Sequence, residues 1–102
     1  MKNYTDSDLS QSFKDFYRKE KSKITKILKA KGCTDIQMSM QFNYFYGFFT
    51  SSSGQIYYFN CSDVRHFKYE KLMYRTAKDY KDYSGGRNQW VNVNDLEKIE
   101  LI

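Results

Sequence analysis

The residues of this chain that could perform acid–base or metal chemistry are few. His66 is the single histidine, and Cys33 and Cys61 are the only thiols. General acid–base catalysis most often uses a histidine beside a carboxylate or a nucleophile, and Asp63 is its nearest candidate along the chain. The spacing of the two cysteines and the histidine matches no zinc finger or ribbon. We therefore predict a protein without catalytic residues, bound metal or cofactor.

The adjacent glycines Gly85 and Gly86, followed by Arg87, are a second feature that could bind a ligand. The spacing of neither a Walker loop nor a dinucleotide-binding loop is present, so no nucleotide cofactor is indicated. Two adjacent glycines can form a backbone nest that accepts an anion, although they more often form a turn. We favour the turn.

The segment from Tyr74 to Trp90, YRTAKDYKDYSGGRNQW, combines basic and aromatic side chains and contains the single tryptophan. Lysine and arginine neutralise phosphates, and aromatic rings stack on the bases of single-stranded nucleic acid. Asp79 and Asp82 repel phosphate, so the alternation of lysine and aspartate suits a protein partner or a solvated surface equally well. The candidate contact residues of this segment are Arg75, Lys78, Tyr80, Lys81, Tyr83, Arg87 and Trp90.

The formal net charge of +5 is unevenly distributed along the chain. Between Lys14 and Lys31 the basic residues far outnumber the acidic ones, which are Asp15 and Glu20. A concentrated positive potential favours an anionic partner. The candidate contact residues of this first third are Lys14, Arg18 and Lys21.

The elements that carry these residues follow from the periodicity of apolar side chains. Residues from Asp6 to Lys31 are predicted to form one long helix, because apolar residues recur there at helical spacing. Thr5 and Asp8 fit a capping box, and Gly32 occupies the position of a left-handed C-terminal cap. The predicted apolar stripe consists of Leu9, Phe13, Phe16, Tyr17, Ile24, Ile27 and Leu28.

After Gly32 the apolar period changes to two, which predicts strands. The first strand starts at Ile36 and continues into the aromatic run FYGFF, with Gly47 at a bulge or bend. The sequence SSSG at 51–54 predicts a hairpin loop that leads into a second strand, QIYYFN. Residues 71–77 form a third predicted strand, and NQWVNV a short fourth one.

Two helical pieces are predicted in the C-terminal part of the chain. The sequence AKDYKDY could form one or two helical turns that end at Gly85. A last helix is expected from Leu96 to Leu101, capped by Asn94 or Asp95.

The predicted order of elements indicates an α+β fold. We expect a single domain over residues 1–102, with a long N-terminal helix packed on a three- to four-stranded antiparallel sheet and a short C-terminal helix.

Aromatic residues make up 19% of the chain, and most of them are expected to fill the core. Phe42, Tyr44 and Tyr58 are predicted to face the first helix. The aromatic residues of opposite parity would then form an exposed face or be covered by the rest of the chain. These are Phe45, Phe49, Tyr57 and Phe59.

The chain contains neither a membrane-spanning apolar run nor the apolar core of a signal peptide. With two cysteines, this favours reduced thiols and a cytoplasmic location without membrane contact.

The predicted order of helix, three strands and helix is similar to that of double-stranded-RNA-binding domains. The lysine cluster that opens the last helix of those domains corresponds here to AKDYK, and we transfer no residue role from them. In size and in its use of Arg, Lys and Tyr the chain also resembles ribonuclease toxins of the RelE type, a family that usually begins with a strand.

Three functional hypotheses follow. The first is a small non-enzymatic binding module, such as a phage or mobile-element accessory protein, that contacts nucleic acid or a nucleoprotein through a basic, aromatic-rich surface. The second is a protein-interaction inhibitor such as an anti-CRISPR-type anti-defence protein, because interface centres favour aromatic residues and arginine. The third is a RelE-like ribonuclease toxin. We favour the first.

Overall fold

The structure is a computed structural model that describes residues 6–40, 44–62 and 71–102, with all side chains in these ranges except those of 6–14, 16 and 62. The helix α1 (Asp6–Ala30) precedes the strands β1 (Thr34–Met40), β2 (Tyr44–Thr50), β3 (Ile56–Ser62), β4 (Lys71–Ala77) and β5 (Gln89–Asn92). A short 3₁₀ helix, Val93–Lys98, follows β5. The α+β class is confirmed, whereas the predicted number of strands is wrong.

The five strands form one antiparallel sheet in which each strand pairs with the next one along the chain. The register between β2 and β3 is unbroken from Tyr44 opposite Ser62 to Thr50 opposite Ile56. The predicted hairpin at 51–54 is confirmed: Ser51 N donates to the Gln55 carbonyl at 2.8 Å, and Gly54 has a positive φ of 93°. Strands that follow one another along the chain are thus also adjacent in the sheet.

The predicted first strand is in fact two strands. β1 ends at Met40, β2 begins at Tyr44, and Met40 lies directly opposite Phe45. The chain therefore reverses direction between these two residues, in a segment that includes the undescribed residues 41–43. The prediction that Phe42 faces the first helix concerns one of these undescribed residues.

The predicted bulge lies in the partner strand and not at Gly47 itself. The register of β1 shifts between Thr34 and Gln37, where Asp35 has a positive φ of 52°. A Cβ atom on Gly47 would overlap the Gln37 carbonyl oxygen and lie 2.9 Å from Phe59 Cζ. Glycine is required because the backbone of β1 approaches it closely.

The end of α1 confirms the predicted glycine cap. Gly32 has a φ of 83°, its N–H donates to the Lys29 carbonyl, and Cys33 N donates to the Leu28 carbonyl at 3.0 Å. This is the pattern of a Schellman motif. The predicted capping box at Thr5 and Asp8 lies outside the described residues, as do the side chains of Leu9, Phe13 and Phe16.

The main core lies between the sheet and two covering segments. α1 buries Ile24 and Leu28 completely or nearly so, and the ring of Tyr17 lies 5.5 Å from that of Phe45. The C-terminal segment adds Leu96, which is fully buried. The C-terminal segment thus covers part of the same face as α1. The other core residues are Cys33, Phe49, Tyr57, Phe59, Cys61, Leu72, Tyr74, Val93 and Ile99.

The C-terminal segment differs in detail from the helix predicted over residues 96–101. Its 3₁₀ helix starts earlier, and Asn92 caps it by accepting a hydrogen bond from Asn94 N at 2.9 Å. Tyrosine hydroxyls of the core hold the following residues, because Tyr57 Oη accepts from Ile102 N at 2.9 Å and Tyr74 Oη from Glu100 N at 3.4 Å. Burial raises the pKa of Tyr74.

Candidate functional site

The side of the sheet that points away from α1, here called the open face, carries a layer of aromatic side chains. Tyr44, Tyr46 and Phe48 of β2 lie on it beside Tyr58 of β3. Successive strand residues point to opposite faces, so their neighbours in sequence point into the core. The predicted orientation is therefore inverted: Tyr44 and Tyr58 face away from the helix, whereas Phe45, Phe49, Tyr57 and Phe59 are buried beneath it.

The inversion has a local cause. The alternation of β1 predicts correctly that Ile36, Met38 and Met40 pack toward the core. The chain reverses after Met40, and Met40 pairs with Phe45, so these two side chains point to the same face. The prediction continued the alternation without this reversal and therefore assigned the residues of β2 to the wrong faces.

One row of side chains crosses four strands of the open face. Tyr46 pairs with Asn60, Asn60 with Met73, and Met73 with Trp90. Adjacent strands lie about 4.8 Å apart, so the backbone positions of Tyr46 and Trp90 are roughly 14 Å apart, with Asn60 and Met73 between them. This row offers two aromatic surfaces with a hydrogen-bonding group between them.

Residues 78–88, here called the strap, cover one end of the open face. The ring of Tyr80 lies 5.5 Å from that of Phe48, and its hydroxyl is 2.6 Å from Thr50 Oγ1. Tyr83 contacts Phe48 at 5.4 Å and Tyr58 at 5.7 Å between ring centroids, both edge-on. It nevertheless remains 52% exposed. At the other end of the face Trp90 is exposed, whereas Tyr44 and Met73 are partly buried among the described residues. Tyr46 is also partly buried, and Tyr83 contacts it at 6.1 Å between ring centroids.

The strap contains turns where helical turns were predicted. Asp79 Oδ1 accepts from Lys81 N at 2.8 Å, and Asp82 accepts from Lys78 N at 2.9 Å and from Ser84 N at 3.1 Å. Such bonds from aspartate compete with helical hydrogen bonding, which explains the error. Because Asp82 accepts these two backbone bonds, its pKa is lowered from the ordinary value of 3.8.

Arg75 joins the strap to the sheet. Its guanidinium group lies 4.8 Å above the ring of Tyr58, donates to Asn88 Oδ1 at 2.9 Å and donates to the carbonyl oxygen of Tyr83. Its Nε atom is buried without a hydrogen-bond partner. The structure thus gives Arg75 a positioning role, and a direct contact with a ligand stays a prediction.

The two glycines of the strap form a close turn against β4. Gly86 N donates to the Thr76 carbonyl at 2.8 Å. A Cβ atom on Gly85 would overlap that carbonyl oxygen, and one on Gly86 would overlap Thr76 Oγ1. The Gly86 amide is thus occupied and the Asp82 carboxylate lies at the same cleft, so the arrangement supports a turn and not an anion nest.

The charges around the open face are mixed. The strands β2 to β5 contain no acidic residue. Lys71 projects from β4 on the same side as Arg75 and is exposed, and the strap exposes Lys78, Lys81 and Arg87. The strap also carries the carboxylates of Asp79 and Asp82, which accept hydrogen bonds from backbone amides, and Asp35 of β1 acts electrostatically on Tyr80.

The predicted residues of α1 are not part of this face. Arg18 and Lys21 are exposed on the helix that covers the opposite side of the sheet. The side chain of Lys14 is not among those that the structure describes. The structure brings Arg75, Tyr80, Tyr83 and the flanking strap residues together, with Trp90 on the same face. It separates them from the helix residues by the thickness of the sheet.

Other chemistry has little support in the part of the chain that the structure describes. There, no three His, Cys, Asp or Glu side chains are grouped so that they could hold a metal ion. Cys33 and Cys61 are buried, and burial raises the pKa of Cys33. His66 and Asp63 lie outside the described residues. No helix among those described has the length and apolar character needed to span a bilayer.

Sequence reasoning missed Tyr44, Tyr46, Asn60 and Met73 as candidate site residues. A signal was available, since the predicted strand from Ile36 through the aromatic run is far longer than the usual five or six residues. Dividing it into two strands would have removed the reason for placing Tyr44 on the helix side of the sheet.

Comparison of the chain with protein-family models, curated proteins and solved structures finds no match.

Proposed function

We propose that the protein is a small non-enzymatic module that binds single-stranded nucleic acid on the open face of its sheet. The observation that supports this most directly is the composition of that face. Aromatic side chains remain accessible on strands without acidic residues, while the opposite face is closed by α1 and the C-terminal segment. Trp90, the single tryptophan, is 57% exposed.

Accessible rings on a rigid sheet suit base stacking. Tyr46 and Trp90 lie on paired strands of the sheet, so no backbone segment has to become ordered when a base stacks on them. Asn60 lies between them in the row, and its amide can donate to and accept from the edge of a base. Its Nδ2 atom lies 3.3 Å from Tyr58 Oη, within reach of a hydrogen bond.

The basic residues around the face suit the phosphates of the same strand. Lys71 of β4 is exposed, as are Lys78, Lys81 and Arg87 of the strap, which covers one end of the aromatic layer. Each cation that neutralises a phosphate releases a counterion, so affinity should fall as salt rises.

A protein target, as expected for an anti-CRISPR-type inhibitor, is the second candidate. Tyrosine, tryptophan, methionine and arginine are enriched at the centres of protein interfaces, and the open face presents all four types. The ribonuclease-toxin hypothesis would use Arg75 and Lys78, and Arg75 is already bonded to the strap. Association with a phage or mobile element stays a prediction.

Fluorescence anisotropy with labelled single-stranded DNA and RNA tests the first candidate. Wild-type protein should bind at low salt, and the substitutions Trp90→Ala and Tyr44→Ala should each weaken binding by roughly 5- to 150-fold, since one stacked base contributes about 1–3 kcal/mol. Trp90→Ala should leave thermal stability nearly unchanged, because the side chain is mostly exposed.

The matched control is Lys98→Ala, which removes an exposed cation from the 3₁₀ helix on the covered side. It should bind as the wild type does. No binding by wild type at low salt, or equal loss in the control and in Trp90→Ala, would contradict the proposal. The protein target would instead be favoured if immobilised wild type retains a protein, if this retention survives nuclease treatment, and if Trp90→Ala abolishes it.

A further inference from the structure

The outward flank of α1 is a second basic surface, separate from the open face. It forms a shallow groove of about 520 Å³ along the helix. Its basic residues project into solvent, and the nearby ion pair of Arg18 with Asp15, at 3.9 Å, is itself largely exposed. The groove is lined by Arg18, Lys21, Ser22, Thr25, Lys26 and Lys29.

The chemistry of this groove differs from that of the open face. Its lining consists of ammonium and guanidinium donors and hydroxyls, with no aromatic ring on which a base could stack. Tyr17, a described aromatic residue of the same helix, is half-buried and its ring lies 5.6 Å from Lys21 Nζ. The lining of the groove can therefore contact phosphates but supplies no ring for a base.

Two other anionic partners fit less well. A helix that lies in a membrane surface inserts its apolar face, but Ile24 and Leu28 of α1 are already buried against the sheet. An acidic protein would usually find an apolar or aromatic centre in its binding surface, and none of the lining residues supplies one. A polyphosphate backbone needs only the cations and hydroxyls that are present.

We propose that this flank of α1 binds the backbone of a nucleic-acid duplex, so that one molecule holds a duplex and a single strand on opposite sides of its sheet. Binding of the single strand rests on the proposed function of the open face, whereas binding of the duplex by α1 is independent of it. From Arg18 to Lys29 the helix advances roughly 16 Å, at 1.5 Å per residue, and a duplex carries one charge per 1.7 Å of its axis. Four cations along that length can each face a phosphate.

Binding of a blunt-ended duplex tests the helix surface by itself. The combined substitution Arg18→Gln, Lys26→Gln and Lys29→Gln should lower duplex affinity at least tenfold and leave single-strand affinity within about twofold. With four phosphate contacts, log K should fall with log salt at a slope of about −3 to −4, and the triple variant should reduce that slope. Lys98→Gln is the matched control, and Trp90→Ala should bind duplex as wild type does.

A bridging assay tests the two-sided arrangement. Immobilised duplex should capture a labelled, non-complementary single strand only when protein is present, and both the helix triple variant and Trp90→Ala should capture at least fivefold less of it than wild type at equal protein concentration. Absence of duplex binding at low salt would overturn the inference while leaving the open-face proposal intact. Competition between duplex and single strand for one site would also overturn it. Duplex binding without single-strand binding would contradict the proposed function and leave the helix surface standing.

Discussion

The accessible part of the open face depends on side chains whose neighbours fix them. Tyr46 is flanked by Tyr44 at 5.9 Å and Tyr58 at 6.4 Å between ring centroids, with tilted planes. Tilted and edge-on contacts of this kind are favourable for aromatic pairs. The rings therefore form a supported layer, and removing one of them changes the surface presented to a ligand more than it changes the core.

Gly47 provides the sharpest test at the level of a single residue. Gly47→Ala should destabilise the fold by about 1–3 kcal/mol, the usual range for forcing extra atoms into a packed site. The added methyl would overlap the carbonyl oxygen of Gln37 and press on Phe59. Urea unfolding followed by circular dichroism measures the change.

Ser39→Ala, on the neighbouring β1 strand at an exposed position, is the control and should unfold within about 0.5 kcal/mol of wild type. An unchanged urea midpoint for Gly47→Ala would show that β1 and β2 do not approach as closely as described.

Individual residues were predictable where local chemistry decides their role. Gly32 ends α1 because a left-handed cap favours glycine, and the sequence signals this directly. The role of Gly47 was only half predictable: an interruption was expected, but the bulge that demands it lies in the partner strand. The role of Arg75 depends on Tyr58 and Tyr83, which only the folded sheet brings near it.

Among the elements, the strap decides how much of the open face is accessible. Its turns are held by aspartate side chains, and it is joined to the sheet by Arg75 and by the hydroxyl contact of Tyr80 with Thr50. Burial raises the pKa of Tyr80, so this phenol stays protonated and able to donate across the usual pH range.

The carboxylate of Asp82 should make the strap sensitive to acid. Its pKa is lowered in the folded state by the bonds from Lys78 N and Ser84 N. A group with a lowered folded pKa stabilises the structure fully above its unfolded value, and that contribution is lost as pH falls through the folded value. The strap should therefore loosen only below the ordinary carboxyl pKa of 3.8, as the pH falls through the lowered folded value.

Nuclear magnetic resonance of the Tyr83 ring measures this loosening. Its contacts with Tyr46, Phe48 and Tyr58 should weaken on acidification in wild type, and Asp82→Asn should remove the acid-dependent change. Glu97→Gln, on the 3₁₀ helix, is the control, and its Tyr83 ring should show the same acid-dependent change as that of wild type. A Tyr83 ring environment that stays constant while the Asp82 carboxyl itself becomes protonated would contradict the role assigned to Asp82.

The elements differ in how well the sequence predicts them. β4 has the predicted bounds, Lys71–Ala77, because its alternation is flanked by polar segments. The strap was predicted as helical turns because periodicity does not show that Asp79 and Asp82 bind backbone amides instead. β1 and β2 were merged because the aromatic run continues the alternation across a reversal of the chain.

For the whole molecule, the sheet divides the candidate contact residues into two groups. The sequence indicated both the basic helix and the aromatic segment, and the structure places them on opposite sides. Composition and periodicity predict the α+β class, because they report which segments bury an apolar face. Composition and periodicity do not report which face of the sheet the helix covers, because a shift of one residue along a strand moves each of its side chains to the other face.

The most direct measurement of the central claim is a nuclear magnetic resonance titration of isotope-labelled protein with a short single-stranded oligonucleotide, at low and at moderate salt. The largest shifts are expected in Tyr44, Tyr46, Met73 and Trp90, with small shifts in α1 and weaker binding at the higher salt. A saturating titration that leaves these four residues unperturbed, or that perturbs only α1, would contradict that claim.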